Sequence, residues 1–271
     1  MAIDRPIFIV GPHRTGTTLL YELLVSHLEV GYLNAANRRL PCFPRIAHLV
    51  SRTFPARSSP PMEAPRFWDW HQTRDDDVMD ARDASPRAVK WYRDRVRLVS
   101  ALGGASRFLA KYPRLSLRLP WLDAVFPDAM FIHLTRDWRA VLSSTVERMV
   151  KRKEQREEWF GVRIPGWRDL RDLPPEEAAG RILVAVIREL ELQKRRLKDR
   201  CLTVRYEDVC RDPLAIIAVI ADWSGCARDP TMEHCAPGVY ECRNWKWPSR
   251  LSPDEIKKVR SLDPDLFSRY E

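Results

Sequence analysis

The sequence predicts a three-layer α/β fold in which a mostly parallel central sheet is flanked by helices, and two observations carry that prediction. Short apolar runs alternate with amphipathic helical stretches, the pattern of strands joined by helical crossovers. Each of four such runs is followed directly by residues suited to an anion, and open α/β sheets bind ligands beyond the carboxyl ends of their strands. At 271 residues the chain is expected to form one domain, 1–271, with a substantial core.

The elements follow in order. The first run is Pro6–Val10, and a helix is expected from Thr17 to Leu28 with Leu19, Leu20, Leu23, Leu24 and Leu28 on one face. Ser85-Pro86 opens a second helix that presents Val89, Tyr92, Val96, Val99 and Leu102 and stops at Gly103-Gly104. The next runs are Arg107–Ala110 and Met130–Leu134. A long helix from about Pro175 to Lys198 has Glu176-Glu177 in its first turn and Lys194-Arg195-Arg196 in its last, matching the helix dipole at both ends. The last run is Cys201–Val204, and Ser252-Pro253-Asp254-Glu255 reads as a capping box. Two irregular segments, placed at 53–75 and 159–175, are either lids over a site or surface loops.

The formal charge of +9 favours an anionic partner. Basic residues are interleaved with acids, as from Arg148 to Glu158, rather than gathered in a stripe, so nucleic acid is not expected. No apolar stretch approaches the ~20 residues that span a bilayer, and Met1 to Val10 lacks the layout of a signal peptide, so a cytoplasmic protein without a transmembrane segment is expected. The six cysteines form no CxxC pair. The set Cys226, His234, Cys235 and Cys242 matches no usual zinc spacing, so reduced thiols and no metal are expected.

Gly11-Pro12-His13-Arg14-Thr15-Gly16-Thr17-Thr18 follows a strand and opens a helix, so its backbone N–H groups form a phosphate cradle, which makes the fold P-loop-like. It nearly fits GxxxxGK[ST], but Thr17 stands in the Lys slot, which disfavours triphosphate hydrolysis; the cation has moved upstream to Arg14. Past the other runs lie Lys111, Arg136 and Arg205-Tyr206.

This loop resembles the 5′-phosphosulfate loop of sulfotransferases that use 3′-phosphoadenosine 5′-phosphosulfate (PAPS), in the bacterial and Golgi-like branch that carries Arg there. The resemblance assigns His13, Arg14, Thr15, Gly16, Thr17 and Thr18 to the donor's 5′ end. Phe131 to Ser144 is similar to the family's 3′-phosphate motif, which implies that Arg136 and Ser144 hold that phosphate. Val204-Arg205-Tyr206-Glu207-Asp208 resembles the element whose Tyr lies against adenine, although Tyr206 is equally an ordinary strand-end residue. Arg243-Asn244-Trp245-Lys246 resembles the loop over the 3′-phosphate and assigns Arg243 and Lys246 to the nucleotide. The matches run from Pro6 to about Lys246.

What the resemblance implies is in-line transfer of a sulfuryl group from PAPS to a hydroxyl or amine of a small acceptor, with the bisphosphate PAP as product and no metal. Arg14, then Lys111, are implied at the bridging oxygen. The sequence departs from the family at the general base: Pro113 occupies the slot of the animal enzymes' His, and Asn34-Ala35-Ala36 offers no carboxylate. Glu63 is the first local candidate and His71 the second. Trp68, Trp70, Trp159 and Trp167 in the irregular segments suggest an aromatic, sugar or lipid-like acceptor, or are core. The rival readings are a P-loop-type small-molecule kinase and a non-catalytic nucleotide-binding module; acceptor identity and oligomeric state stay open.

Overall fold

The computed structural model describes residues 5–55, 60–155, 159–228 and 239–271. Five strands, β1 (Ile7–Val10), β2 (Val30–Tyr32), β3 (Arg107–Lys111), β4 (Met130–Thr135) and β5 (Cys201–Arg205), form one sheet in the order β2-β3-β1-β4-β5. Every pairing is parallel, with Ile9 opposite both Lys111 and Ile132, and Thr135 opposite Arg205. All carboxyl ends therefore emerge on one side, and β1 lies between β3 and β4, where the order reverses.

The four expected strands are present, and β2 is an edge strand that the sequence reading did not include. Its central Gly31 is held close to the helix Pro86–Leu102: a Cβ there would stand 2.6 Å from the Ser100 Cα. A three-residue strand with a glycine in the middle carries too little apolar pattern to register as one.

Strand alternation divides the core between two layers. Phe8 and Val10 of β1 join Trp68, Tyr92 and Trp121 on one face, whereas Ile7 and Ile9 join Leu20, Leu24, Ile217 and Ile220 on the other. The first layer is aromatic: Trp68 lies edge-on to Phe8 at 5.8 Å, and the Tyr92 hydroxyl donates to the Trp68 carbonyl at 3.0 Å. Truncating such a ring typically costs about 3–5 kcal/mol. Trp68 and Trp167 are both buried, at 0% and 2% exposure, so neither offers the acceptor surface considered from sequence.

Helix ends follow the sequence signals. Ser85 accepts from Ala88 N at 3.2 Å to open Pro86–Leu102, and Ser252 and Glu255 form the expected reciprocal capping box. The long helix spans Pro175–Leu197. Among the described residues no helix is long and apolar enough to cross a membrane.

Candidate functional site

A cleft of about 1010 Å³ opens at the carboxyl ends of the strands. Its floor is the loop between β1 and the helix Thr17–His27. Gly16 caps that helix with φ 99°, and among the described residues no side chain bonds to the first-turn N–H groups, which leaves the positive end of the helix facing the cleft. Arg14 is also left-handed, at φ 68°. A Cβ on Gly16 would lie 2.4 Å from the Tyr206 ring, so the loop rests on that ring and excludes any side chain there. Thr15 turns inward, its hydroxyl donating to the Pro12 carbonyl at 2.7 Å, and it holds the loop's shape rather than facing the cleft.

The strand-end residues then interlock. Arg14 Nε donates to Ser144 Oγ at 2.9 Å, and Arg136 donates to the Arg14 carbonyl at 2.9 Å and to Asn244 Oδ1 at 2.8 Å. Asn244 in turn donates to Glu207 Oε1 at 2.7 Å, which ties the segment Arg243–Ser249 to the site. Burial first, then the neighbouring Arg148 and Arg136, hold the Arg14 guanidinium below its ordinary pKa. A bound anion relieves such crowding of like charges. The neighbouring Ser143 hydroxyl lines the cleft, buried and without a hydrogen-bond partner among the described residues. Arg243 and Lys246 line the same cleft.

Tyr206, read from sequence as either an adenine contact or an ordinary strand-end residue, lines the cleft. It is 6% exposed, with the Arg136 guanidinium carbon 4.3 Å from its ring centroid and the Gly16 backbone against its edge. The ring supports the loop and orients Arg136 through a cation–π contact.

At the end of β3, buried Lys111 donates to Thr18 Oγ1 at 2.8 Å and is hydrogen-bonded to the Glu63 carboxylate. Glu63, Lys111 and Thr18 all line the cleft, so the sequence candidates for charge stabilisation and for the base are brought together. His13 lines the cleft beside them; burial, then Lys111, Arg114 and Arg14, lower its pKa to about 3, so it is neutral near pH 7 and shapes the floor without adding charge. His71 is not among the lining residues: its ring packs edge-on against Trp91 and Tyr92 at 5.5 and 5.7 Å. The turn after Pro65–Trp68 carries it against the aromatic layer, apart from the Lys111–Glu63 pair.

Several residues escaped the sequence reading. Ser116 clamps the loop, accepting from Gly11 N at 2.9 Å and donating to Gly11 O at 3.0 Å. Arg114 enters the cleft from a buried charge network in which it pairs with Asp69 and Asp77 at 3.3 Å, while fully buried Arg118 pairs with Asp69 at 2.9 Å. No spacing rule unites positions 69, 77, 114 and 118; the Lys111-Tyr112-Pro113-Arg114 sequence was the available signal. Of the segment 159–175, Trp159, Phe160 and Gly161 line the cleft. His234 and Cys235, weighed above as metal ligands, lie outside the described residues, as do 56–59 of the other irregular segment.

Comparison with known proteins bears on this arrangement. Residues 6–230 match the sulfotransferase family. The ω-hydroxy-β-dihydromenaquinone-9 sulfotransferase Stf3 of Mycobacterium tuberculosis is 31% identical over 173 residues, a match that covers 53% of this chain and 45% of that protein, less than half its length. Among solved structures, the sulfotransferase STF9 of Mycobacterium avium superposes with a TM-score of 0.62 at 15% identity, covering 98% of this chain and 78% of that one. STF1 of Mycobacterium tuberculosis H37Rv does so at 0.58 and 17% identity, covering 99% and 77%. The structural likeness establishes the fold, and the sequence match, extending through β1 to β5 and every strand-end residue from Gly11 to Tyr206, establishes the descent: the chain belongs to the sulfotransferase family.

Proposed function

We propose that the chain transfers a sulfuryl group from PAPS to a hydroxyl or amine of a small acceptor by in-line displacement. The observation that carries the reading is the interlock of Arg14, Ser144 and Arg136 across one cleft, which sets two anion-suited positions beside Lys111 and Glu63. The residues present fit a bisphosphate nucleotide. The uncapped helix end and Arg14 suit its 5′ side, and Arg136 with Ser144 and the unpartnered Ser143 hydroxyl suit its 3′ phosphate.

When bound, that nucleotide supplies an electrophilic sulfur and a phosphate leaving group. The loop N–H groups would hold the 5′ phosphate and orient it toward the acceptor. Arg14 and Lys111 would stand at the bridging oxygen and would stabilise the charge that grows there as the sulfur–oxygen bond to the nucleotide breaks. Glu63 takes the acceptor's proton as the new sulfur–oxygen or sulfur–nitrogen bond forms, and Lys111 fixes the carboxylate through their ion pair. Thr17 in place of a Lys speaks against a small-molecule kinase. The mycobacterial relative is named for a hydroxylated dihydromenaquinone, and a lipid-like hydroxyl falls within the acceptor class proposed.

Calorimetry with PAP, AMP and Mg-ATP, followed by labelled-sulfate transfer from PAPS across acceptor classes, tests the reading. PAP is expected to bind markedly better than the other two nucleotides. Equal affinity for AMP, or tight Mg-ATP binding, would overturn it.

A further inference from the structure

A second cavity, of about 740 Å³, adjoins the cleft and shares Thr18, Glu63, Pro65 and Lys111 with it. The Lys111–Glu63 pair thus stands at the boundary of two spaces, one holding the anion-suited loop and Arg136, the other lined by residues to which the nucleotide reading gives no task. The outer wall of the second space carries Arg38, Arg39 and Arg66.

Chain folding brings these arginines together. Arg38 and Arg39 lie in the last turn of the helix Ala35–Arg39, and Arg66 lies in the helical turn Pro65–Trp68. Main-chain bonds from Ala35 N to Pro60 O at 3.2 Å and from Met62 N to Leu33 O at 2.9 Å stitch the two segments side by side. All three side chains are exposed, and none makes an ion pair or side-chain hydrogen bond among the described residues. Other arginines, such as Arg82, Arg139, Arg188 and Arg200, are paired with carboxylates, whereas these three stand unpaired around one cavity. Of the two acids lining the cavity, Glu63 is engaged by Lys111, which leaves Glu22 against three unpaired guanidinium groups.

Resting on the sulfuryl-transfer reading, we infer that this cavity is the acceptor's entrance and that it selects an acceptor bearing an anionic group, a carboxylate or a phosphate. Arg38, Arg39 and Arg66 hold that group while the nucleophilic hydroxyl or amine lies at Glu63. Guanidinium groups give the planar, two-toothed recognition that such oxyanions favour, and an open cationic mouth draws them in from solution. The anion is either part of a soluble metabolite or a lipid headgroup, and the two sources separate experimentally.

The experiment uses the full chain and first titrates PAP by calorimetry; failure of PAP to bind strikes the underlying reading and not this one. On PAP-saturated protein, binding is then measured for 4-hydroxyphenylacetate, inorganic phosphate and 4-ethylphenol, and for phosphatidylcholine vesicles with and without phosphatidylglycerol. The expected result is binding of the soluble anions but not of 4-ethylphenol, weakened about tenfold or more in Arg38→Gln/Arg66→Gln while PAP affinity stays within about twofold. Vesicle binding that requires phosphatidylglycerol and falls in the same variant supports the site with a headgroup as the source. Absence of binding to the soluble anions and to the phosphatidylglycerol vesicles alike, or binding that the double variant leaves unchanged, overturns the inference. The single variant Arg39→Gln, at the exposed end of its helix, guards against loss of fold in the double variant and should show a partial effect of the same sign.

Discussion

Arg14 Nε donates to Ser144 Oγ at 2.9 Å, joining residues 130 positions apart in sequence. The bond fastens the loop after β1 to the helix after β4, and Arg136 closes the triangle through the Arg14 carbonyl. The two anion-suited ends of the cleft are therefore one mechanical unit.

That unit predicts non-additive substitutions. Arg14→Ala and Ser144→Ala should each weaken PAP, and a double-mutant cycle should return a coupling of about 0.5–3 kcal/mol, the range for residues within one hydrogen-bond network. Calorimetry on the four proteins measures it directly. Strictly additive losses would mean that the two residues serve the nucleotide independently.

Arg136 carries a sharper prediction because three contacts converge on it: the Arg14 carbonyl, Asn244 and the Tyr206 ring. On the proposed reading, in which the fork serves the 3′ phosphate, Arg136→Ala should weaken PAP more than AMP, by about 1.5–3 kcal/mol for a lost charge-assisted contact. Equal losses for both nucleotides would instead place Arg136 as a support for the loop alone.

Much of this arrangement was legible in the sequence, for a physical reason. Buried parallel strands are nearly continuous apolar runs, so their ends are sharp, and the residues just past them, Gly11, Lys111, Arg136 and Tyr206, were found by reading one step beyond each run. The parts that escaped depend on tertiary placement. Ser116 reaches Gly11 from 105 residues away, and Asn244 reaches Arg136 from 108 away, through side-chain bonds that leave no periodic trace. Glu63 and His71, near neighbours in sequence, diverge because a single helical turn sends one to Lys111 and the other between Trp91 and Tyr92.

The same divergence makes the base testable by a pair of variants. Glu63→Gln should lower kcat by about 10²–10⁴-fold with PAP affinity nearly unchanged, because the amide keeps the shape but takes no proton. His71→Asn should leave kcat within a few-fold and act, if at all, on stability through the aromatic layer. Single-turnover sulfate transfer separates the chemical step from product release. A fully active Glu63→Gln enzyme would remove the carboxylate from the mechanism.

The last prediction concerns stability in acid and rests on His133, in the middle of β4. The ring is 1% exposed, neither nitrogen has a hydrogen-bond partner among the described residues, and Tyr270 packs nearby at 6.3 Å between ring centroids. Burial, against the opposing pull of Glu191, lowers its pKa from 6.5 to about 4. Above pH 6.5 the imidazole is neutral in both the folded and unfolded chains, so it contributes no pH dependence there. As pH falls below that value the unfolded chain takes up a proton that the folded chain refuses. Stability is then lost down to about pH 4, by up to ~3 kcal/mol, with no further loss from this group below its folded pKa. His133→Leu removes the titration and two unpaired polar atoms at similar volume, so it should be near neutral or stabilising at pH 7.5. Urea midpoints at pH 7.5 and 4.5 should therefore differ less in His133→Leu than in the wild type. His13, whose pKa burial and its cationic neighbours lower to about 3, should supply part of the slope that remains. Parallel pH dependences in the two proteins would show that His133 is protonated within the fold and that the sheet reorganises around it.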